Sequence, residues 1–288
     1  MTSPDFVPDY LMIGHIAHDV TPNGPRLGGT VSFGAYTAAA FGLRVGILTS
    51  AAPGEPLLND LPPQAVVINV PASHTTMFDN RYNGSVRTQY MYHRAETLTP
   101  EMLPSAWTQA HMVHLGPIAY EVAPAFAALF AGRSICVTPQ GWMRRRETNG
   151  RVSTIPWDHA HEVLPHARLT VLSEEDIRHE PGLEKSFAEV APLLVLTRAE
   201  RGGTIYQQGT RRDFAAYPAA QIDPTGAGDI FATALLIALD RLNDIKRAVR
   251  VAAFLAAQSV TRAGFASAPT PAEVTQAWKI ADQDGVTE

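Results

Sequence analysis

Short apolar runs, each stopped by a glycine or a polar turn, alternate along this chain with stretches rich in small residues. Tyr10 to Gly14, Leu43 to Thr49, Val66 to Val70, Met112 to Leu115, Ile135 to Val137, Leu169 to Leu172 and Leu193 to Thr197 are too short for typical helices and read as buried strands. Thr30 to Phe41 and Ala123 to Phe130 have helical character. Parallel neighbours need a crossover of a dozen or more residues, usually helical, so strand, helix, strand at this spacing implies parallel units. The expected class is α/β, with a mostly parallel central sheet and helices on both faces.

Two stretches depart from that alternation. Residues 75–93 carry many Thr, Tyr and Val around Asn83-Gly84, a dipeptide that favours a type I′ hairpin, and predict a two-stranded excursion. Thr204 to Gln207 and Arg211 to Phe214 predict an antiparallel pair around Gln208-Gly209. The tail, Ile230 to Arg262, reads as mostly helical.

With 288 residues, 45% of them hydrophobic, the chain has ample material for a core and is expected as a single domain over 1–288. A net charge of −5 argues against a nucleic-acid-binding surface. The one tight basic cluster, Arg144-Arg145-Arg146, reads as a solvated loop or as an anion contact. The single cysteine, Cys136, permits no internal disulfide and reads as core. No apolar run approaches the roughly 20 residues of a membrane span, and Met1 to Asp9 lacks a leader pattern, so a cytoplasmic protein without membrane contact is expected.

The chemistry concentrates in Gln221-Ile222-Asp223-Pro224-Thr225-Gly226-Ala227-Gly228-Asp229, which leads into an apolar, helical run. A helix N-terminus leaves backbone N–H groups unpaired and partly positive, and glycine lets that backbone approach a phosphate. Gly226, Ala227 and Gly228 thus form a candidate anion hole, and Asp229 a candidate base. A glycine turn entering a helix capped by aspartate is the plainer alternative.

The run Asp223 to Asp229 resembles the signature of the ribokinase-like PfkB carbohydrate kinases. Gly28-Gly29 before a small-residue helix, Asp19 after the first strand, and Thr197-Arg198-Ala199-Glu200-Arg201-Gly202 are similar to further family motifs. Gly14 to Val20, Leu27 to Phe33, Thr75 to Phe78 and Gln140 look like the myo-inositol kinase branch. The resemblance spans residues 10–271. It implies a ribokinase-like fold with a small β lid and a kinase using ATP and Mg²⁺, and it leaves a monovalent cation open. The acceptor implied is a small polyol, sugar or cyclitol, myo-inositol included.

By the same resemblance, Asp19, Gly28, Gly29, Ser32, Phe78, Gln140 and Asp229 would contact the acceptor. Ser173, Thr197, Ala199, Gly202, Thr225, Gly226 and Gly228 would contact the nucleotide. Glu175 and Asp176 would hold Mg²⁺ through water. Departures are visible: Ser173 and Asp176 stand where the family has Asn and Glu, and alanine stands at 199 in place of glycine. Only eight residues separate Asp19 from Gly28, so the lid is expected mainly from about 75–93. His15 and His18 could hydrogen-bond a polyol, and His111 and His114 read as sharing a strand face. The competing functions are a nucleoside kinase of the same fold and a nucleotide- or polyol-binding protein with little turnover. A monomer or a homodimer is expected.

Overall fold

A computed structural model describes residues 6–22, 24–83 and 86–283. Its main sheet has nine strands, in spatial order Thr210–Phe214, Gly203–Gln207, Leu193–Thr197, Leu169–Ser173, Ser134–Val137, Met112–Leu115, Tyr10–Ile13, Val45–Ala51 and Val66–Pro71. Seven run parallel, and the two at the first edge are antiparallel. Gln208 and Gly209, which join those two, both have positive φ (49° and 73°), as a type I′ turn requires. Each strand read from the apolar runs is present.

The sheet is buried on both faces. Tyr10, Met12, Ile47 and Val195 pack on one side beneath the helices Thr30–Ala40, Ala227–Leu242 and Ile245–Ser259. Leu11, Val113, Ile135 and Leu194 pack on the other with Phe126, Trp142, Trp157 and Phe187. The mostly helical tail is two helices. Asn243 takes a left-handed cap (φ 48°), and Asp244 accepts the N–H groups of Lys246 and Arg247 to start the second. A further helix, Pro271–Asp282, begins with a capping box from Thr270 and Glu273. That Thr-x-x-Glu signal is legible in the sequence and was not read there.

A four-stranded sheet, in spatial order Gly24–Gly28, Ala17–Thr21, Thr76–Asn83 and Val86–His93, forms a second layer. Thr76–Asn83 and Val86–His93 are antiparallel, as expected; the Asn83-Gly84 turn itself falls at residue 84, outside the described residues. The short approach to Gly28 differs from the expectation. Ala17–Thr21 and Gly24–Gly28 pair antiparallel and add half of the layer's strands, because two short strands need only a tight turn between them. A second unpredicted hairpin joins Arg144–Arg146 to Val152–Thr154.

Candidate active site

Parallel strands deliver their carboxyl ends to one edge of the sheet, where open α/β folds bind ligands. Leu169–Ser173 and Leu193–Thr197 end there side by side, with Ser173 and Thr197 in register. Ser134–Val137 ends there too and leads into a short turn, Pro139–Met143, that carries Gln140.

The Asp223 to Asp229 turn comes next to this edge through the Ala227–Leu242 helix. Gly226 is its N-cap, with φ 80°, and the Phe33 ring packs where its Cβ would stand. Phe33 stacks in turn on Phe265, with centroids 4.8 Å apart. The Thr30–Ala40 helix approaches closely because Gly34 has no Cβ to strike Met12. At Gly228, by contrast, nothing outside its chain neighbours and its own helix backbone lies within 4 Å of where a Cβ would be. A side chain at 228 would therefore meet open space.

Not every predicted donor is available. The Ala227 N–H donates to the Pro224 carbonyl at 3.2 Å, whereas those of Gly226, Gly228 and Asp229 have no backbone partner among the described residues. The N–H groups left as candidate donors to an anion are thus those of Gly226, Gly228 and Asp229, and Ala227 instead closes the turn. Thr225 donates its N–H to Asp223 Oδ1 at 2.9 Å, which fixes the turn before the helix.

Asp229 is partly exposed, but protein surrounds its carboxyl. Burial pushes its pKa up to about 6; a hydrogen bond with Thr30 and the positive charge of Arg144 act against that, and the negative charge of Asp176 acts with it. Asp229, Thr30, Arg144 and Asp176 therefore form one electrostatic group. The sequence did not single out Thr30, which follows Gly29, itself at φ 94° as the helix N-cap. Arg144 was left between solvated loop and anion contact, and its charge reaches Asp229. Its neighbours do not: Arg145 pairs with Glu147, and Arg146 Nε donates to the Met91 carbonyl.

Asp176 caps its own helix by accepting the Ser173 N–H at 3.1 Å, and it also accepts Gln140 Nε2 at 3.0 Å. Each carboxylate oxygen keeps a lone pair for water, and Glu175 beside it is exposed. No group of three or more His, Cys, Asp or Glu side chains is arranged to chelate a metal among the described residues. A few carboxylate oxygens without a cage fit Mg²⁺, which keeps several waters. Glu174 ties this turn to the Thr197–Gly202 segment by pairing with Arg198 (3.3 Å) and Arg201. Thr197 donates to the Leu172 carbonyl at 3.2 Å. Gly202 has φ 80° and no room for a side chain against the Phe214 carbonyl.

On the acceptor side, Asp19 lies against Gly28, where a Cβ would collide with the carboxylate. Several predicted contacts fall elsewhere. Ser32 is fully buried and donates to the Gly28 carbonyl at 2.8 Å, since a serine one turn into a helix readily bonds back to a carbonyl four residues earlier. Phe78 is buried with Ala17, Met91, Ile118 and Ala119 under the small sheet, so it packs instead of covering a ligand. His15 is buried between Thr76 Oγ1 and the Glu96 carbonyl, and His18 pairs with Glu55. His111 pairs with Asp240 at the surface while buried His114 bridges Tyr10 and Thr138; residues three apart on a strand point to opposite faces. Cys136 is buried as expected.

A doubly wound sheet with a β layer and a glycine turn at its carboxyl edge is a ribokinase-like fold. The pattern of the pfkB family carbohydrate kinase matches residues 148–273. The chain is 26% identical over 265 residues to a cytidine kinase of Thermococcus kodakarensis, covering 84% of this chain and 92% of that one. It is 27% identical over 251 residues to an inositol 3-kinase of Zea mays, covering 77% and 64%. It has the fold of a pyrophosphate-dependent kinase in the ribokinase family solved with a pyrophosphate analog and myo-inositol, with TM-score 0.75, 21% identity and coverage of 93% and 99%. The chain thus resembles ribokinase-like carbohydrate and nucleoside kinases, and it is a phosphotransferase with an alcohol acceptor. An Arabidopsis thaliana ribokinase of similar fold, with TM-score 0.71 and 16% identity, was solved with ribose and ATP. No helix among the described residues is long and apolar enough to cross a membrane.

Proposed function

We propose that this kinase transfers the terminal phosphoryl group of ATP to a hydroxyl of a small cyclic polyol, with myo-inositol the first compound to test. The observation that carries the reading is the enclosed carboxyl of the partly exposed Asp229, close to the Gly226 and Gly228 amides, which have no backbone partner among the described residues. Asp229 accepts the proton of the attacking hydroxyl as its oxygen bonds to phosphorus. The bond from phosphorus to the leaving diphosphate breaks, and its electron pair departs with ADP. The amides of Gly226 and Gly228 stabilise charge on the phosphoryl oxygens, and Arg144 adds positive charge nearby. Asp19, against Gly28, orients the acceptor. Glu175 and Asp176 would hold Mg²⁺ through water, and the ion would supply charge neutralisation between the donor phosphates. Such positioning and neutralisation account for most catalysis of phosphoryl transfer.

A second reading, a nucleoside acceptor, is favoured by the cytidine kinase relative, which aligns over most of both chains. The test is a coupled product-release assay over inositols, sugars and nucleosides, with ATP and with pyrophosphate as donors. Turnover confined to cyclitols supports the first reading, and turnover confined to nucleosides replaces it with the second. Donor binding without turnover of any compound leaves a binding protein and sinks both.

A further inference from the structure

Arg26 lies on the Gly24–Gly28 strand of the small sheet, in register with Asp19 on the neighbouring strand. Its side chain leaves that sheet and donates through Nη1 to Asp223 Oδ2 at 3.3 Å, across 197 residues of sequence. The same carboxylate accepts the Thr225 N–H through Oδ1 at 2.9 Å and the Gly264 N–H through Oδ2 at 3.3 Å. One side chain thus joins the turn that leads to the Gly226 and Gly228 amides, the loop after the Ile245–Ser259 helix, and the small sheet. Arg26 Nε is buried and has no hydrogen-bond partner. Asp223 is the part of this arrangement that opposes function. A carboxylate in the turn just before the Gly226 and Gly228 amides repels a polyphosphate, and this one is held ionised: burial raises its pKa, but the hydrogen bonds from Thr225 and Gly264 and the charge of Arg26 bring it below the usual value.

We propose that Arg26 is a positioning residue for the phosphate donor: it tethers the 223–229 turn to the small sheet and neutralises Asp223, so that an anionic donor settles on the amides. This inference rests on the kinase reading above. The charge that Asp223 needs comes from the chain itself, so an added monovalent cation has no part to play at that carboxylate. The register of Asp19 with Arg26 also joins the acceptor side to the donor turn through two adjacent strands.

The test compares wild type, Arg26→Gln and Arg26→Gln/Asp223→Asn. Donor affinity is measured by calorimetry with ATP and with pyrophosphate, and KM and kcat with the accepted substrate. Losing a hydrogen-bonded charge predicts about a tenfold or greater weakening of donor binding in Arg26→Gln, with kcat changed much less. Guanidinium chloride should partly restore that variant, and exchanging potassium for choline should leave wild type unchanged. The double variant should recover part of the donor affinity, because the repelling carboxylate is gone although the tether is still missing. A pure tether predicts no such recovery. Unchanged donor affinity in folded Arg26→Gln overturns the inference, as does a double variant no better than the single one. If Arg26→Gln does not fold, Asp223→Asn alone, which removes the repelling carboxylate, must bind the donor at least as tightly as wild type, or the inference fails. A wild-type protein that binds neither donor overturns the kinase reading itself, a result distinct from all of these.

Discussion

Thr30, the first residue of the helix behind Gly28-Gly29, hydrogen-bonds the carboxyl of Asp229 at the head of the Ala227–Leu242 helix. Two helix N-termini distant in sequence thereby meet at one candidate base. Asp229→Asn keeps the shape and removes the base. General-base catalysis contributes about 10²–10⁴-fold, so turnover should fall by that order while donor affinity stays within about threefold. Steady-state kinetics and donor calorimetry on one preparation check this. Turnover near the wild-type level would remove Asp229 from the mechanism.

The raised pKa of Asp229 fixes two pH dependences of opposite sense. The base works as the carboxylate, so kcat should rise with pH through about 6 and then level off. Stability runs the other way. A folded pKa above the unfolded 3.8 contributes stability that is full below 3.8 and lost as pH rises through about 6. At pH 8 the ligand-free Asp229→Asn variant should therefore be more stable than wild type, by about 1–3 kcal/mol. Thr30→Val removes a bond that lowers this pKa and should move the kinetic midpoint upward. Denaturation at pH 5 and pH 8, with a pH–kcat profile of both variants, provides the check. A midpoint near 4 in wild type would contradict the burial argument.

The central sheet was legible because its strands are continuous apolar runs buried on both faces, and burial leaves few other assignments for Leu193 to Thr197 or Tyr10 to Ile13. The glycine turn was legible because a left-handed N-cap packed against a ring, as at Gly226, leaves few residues other than glycine. The small sheet was half hidden. Ala17–Thr21 and Gly24–Gly28 alternate poorly, include a proline and lie partly exposed, so neither run carries a strand signal. Ser32 and Phe78 were misplaced for a related reason. A residue type shows what a side chain can bond or cover, whereas tertiary packing decides which face is closed; Ser32 and Phe78 both point into packed protein. Arg26 and Thr30 had no local pattern at all, since their partners lie about 200 residues away.

Gly226 and Gly228 should separate folding from binding, although they stand two residues apart. Gly226 has φ 80° and Phe33 where a Cβ would go, so Gly226→Ala meets both backbone strain and a clash, and about 2–4 kcal/mol of stability should be lost. Gly228 faces open space, so Gly228→Val should fold with a stability loss of about 1 kcal/mol or less, set by helix propensity near a terminus. Its branched side chain would occupy the space before the amides and should weaken donor binding by about tenfold or more. Chemical denaturation and donor calorimetry read the two effects separately. Tight donor binding by Gly228→Val would mean that the phosphate lies elsewhere.

Ala199 carries a strain that its own sequence position explains. It stands where the resembling motif has glycine, and its φ is 50°, in the left-handed region. An L-residue there costs about 1–2 kcal/mol, because Cβ crowds the following carbonyl. Glycine would relieve that cost and would also gain freedom in the unfolded chain, which offsets about 0.4–1 kcal/mol. The net expectation for Ala199→Gly is stabilisation of up to about 1 kcal/mol, seen as a higher denaturant midpoint at unchanged slope. The Thr197–Gly202 turn is pinned by Glu174 through Arg198 and Arg201, so its conformation should not change on substitution. Donor KM should then stay the same or fall slightly. A destabilised Ala199→Gly variant would show that the left-handed geometry is not strained at this site, and a raised donor KM would show that the alanine methyl itself contributes to the donor site.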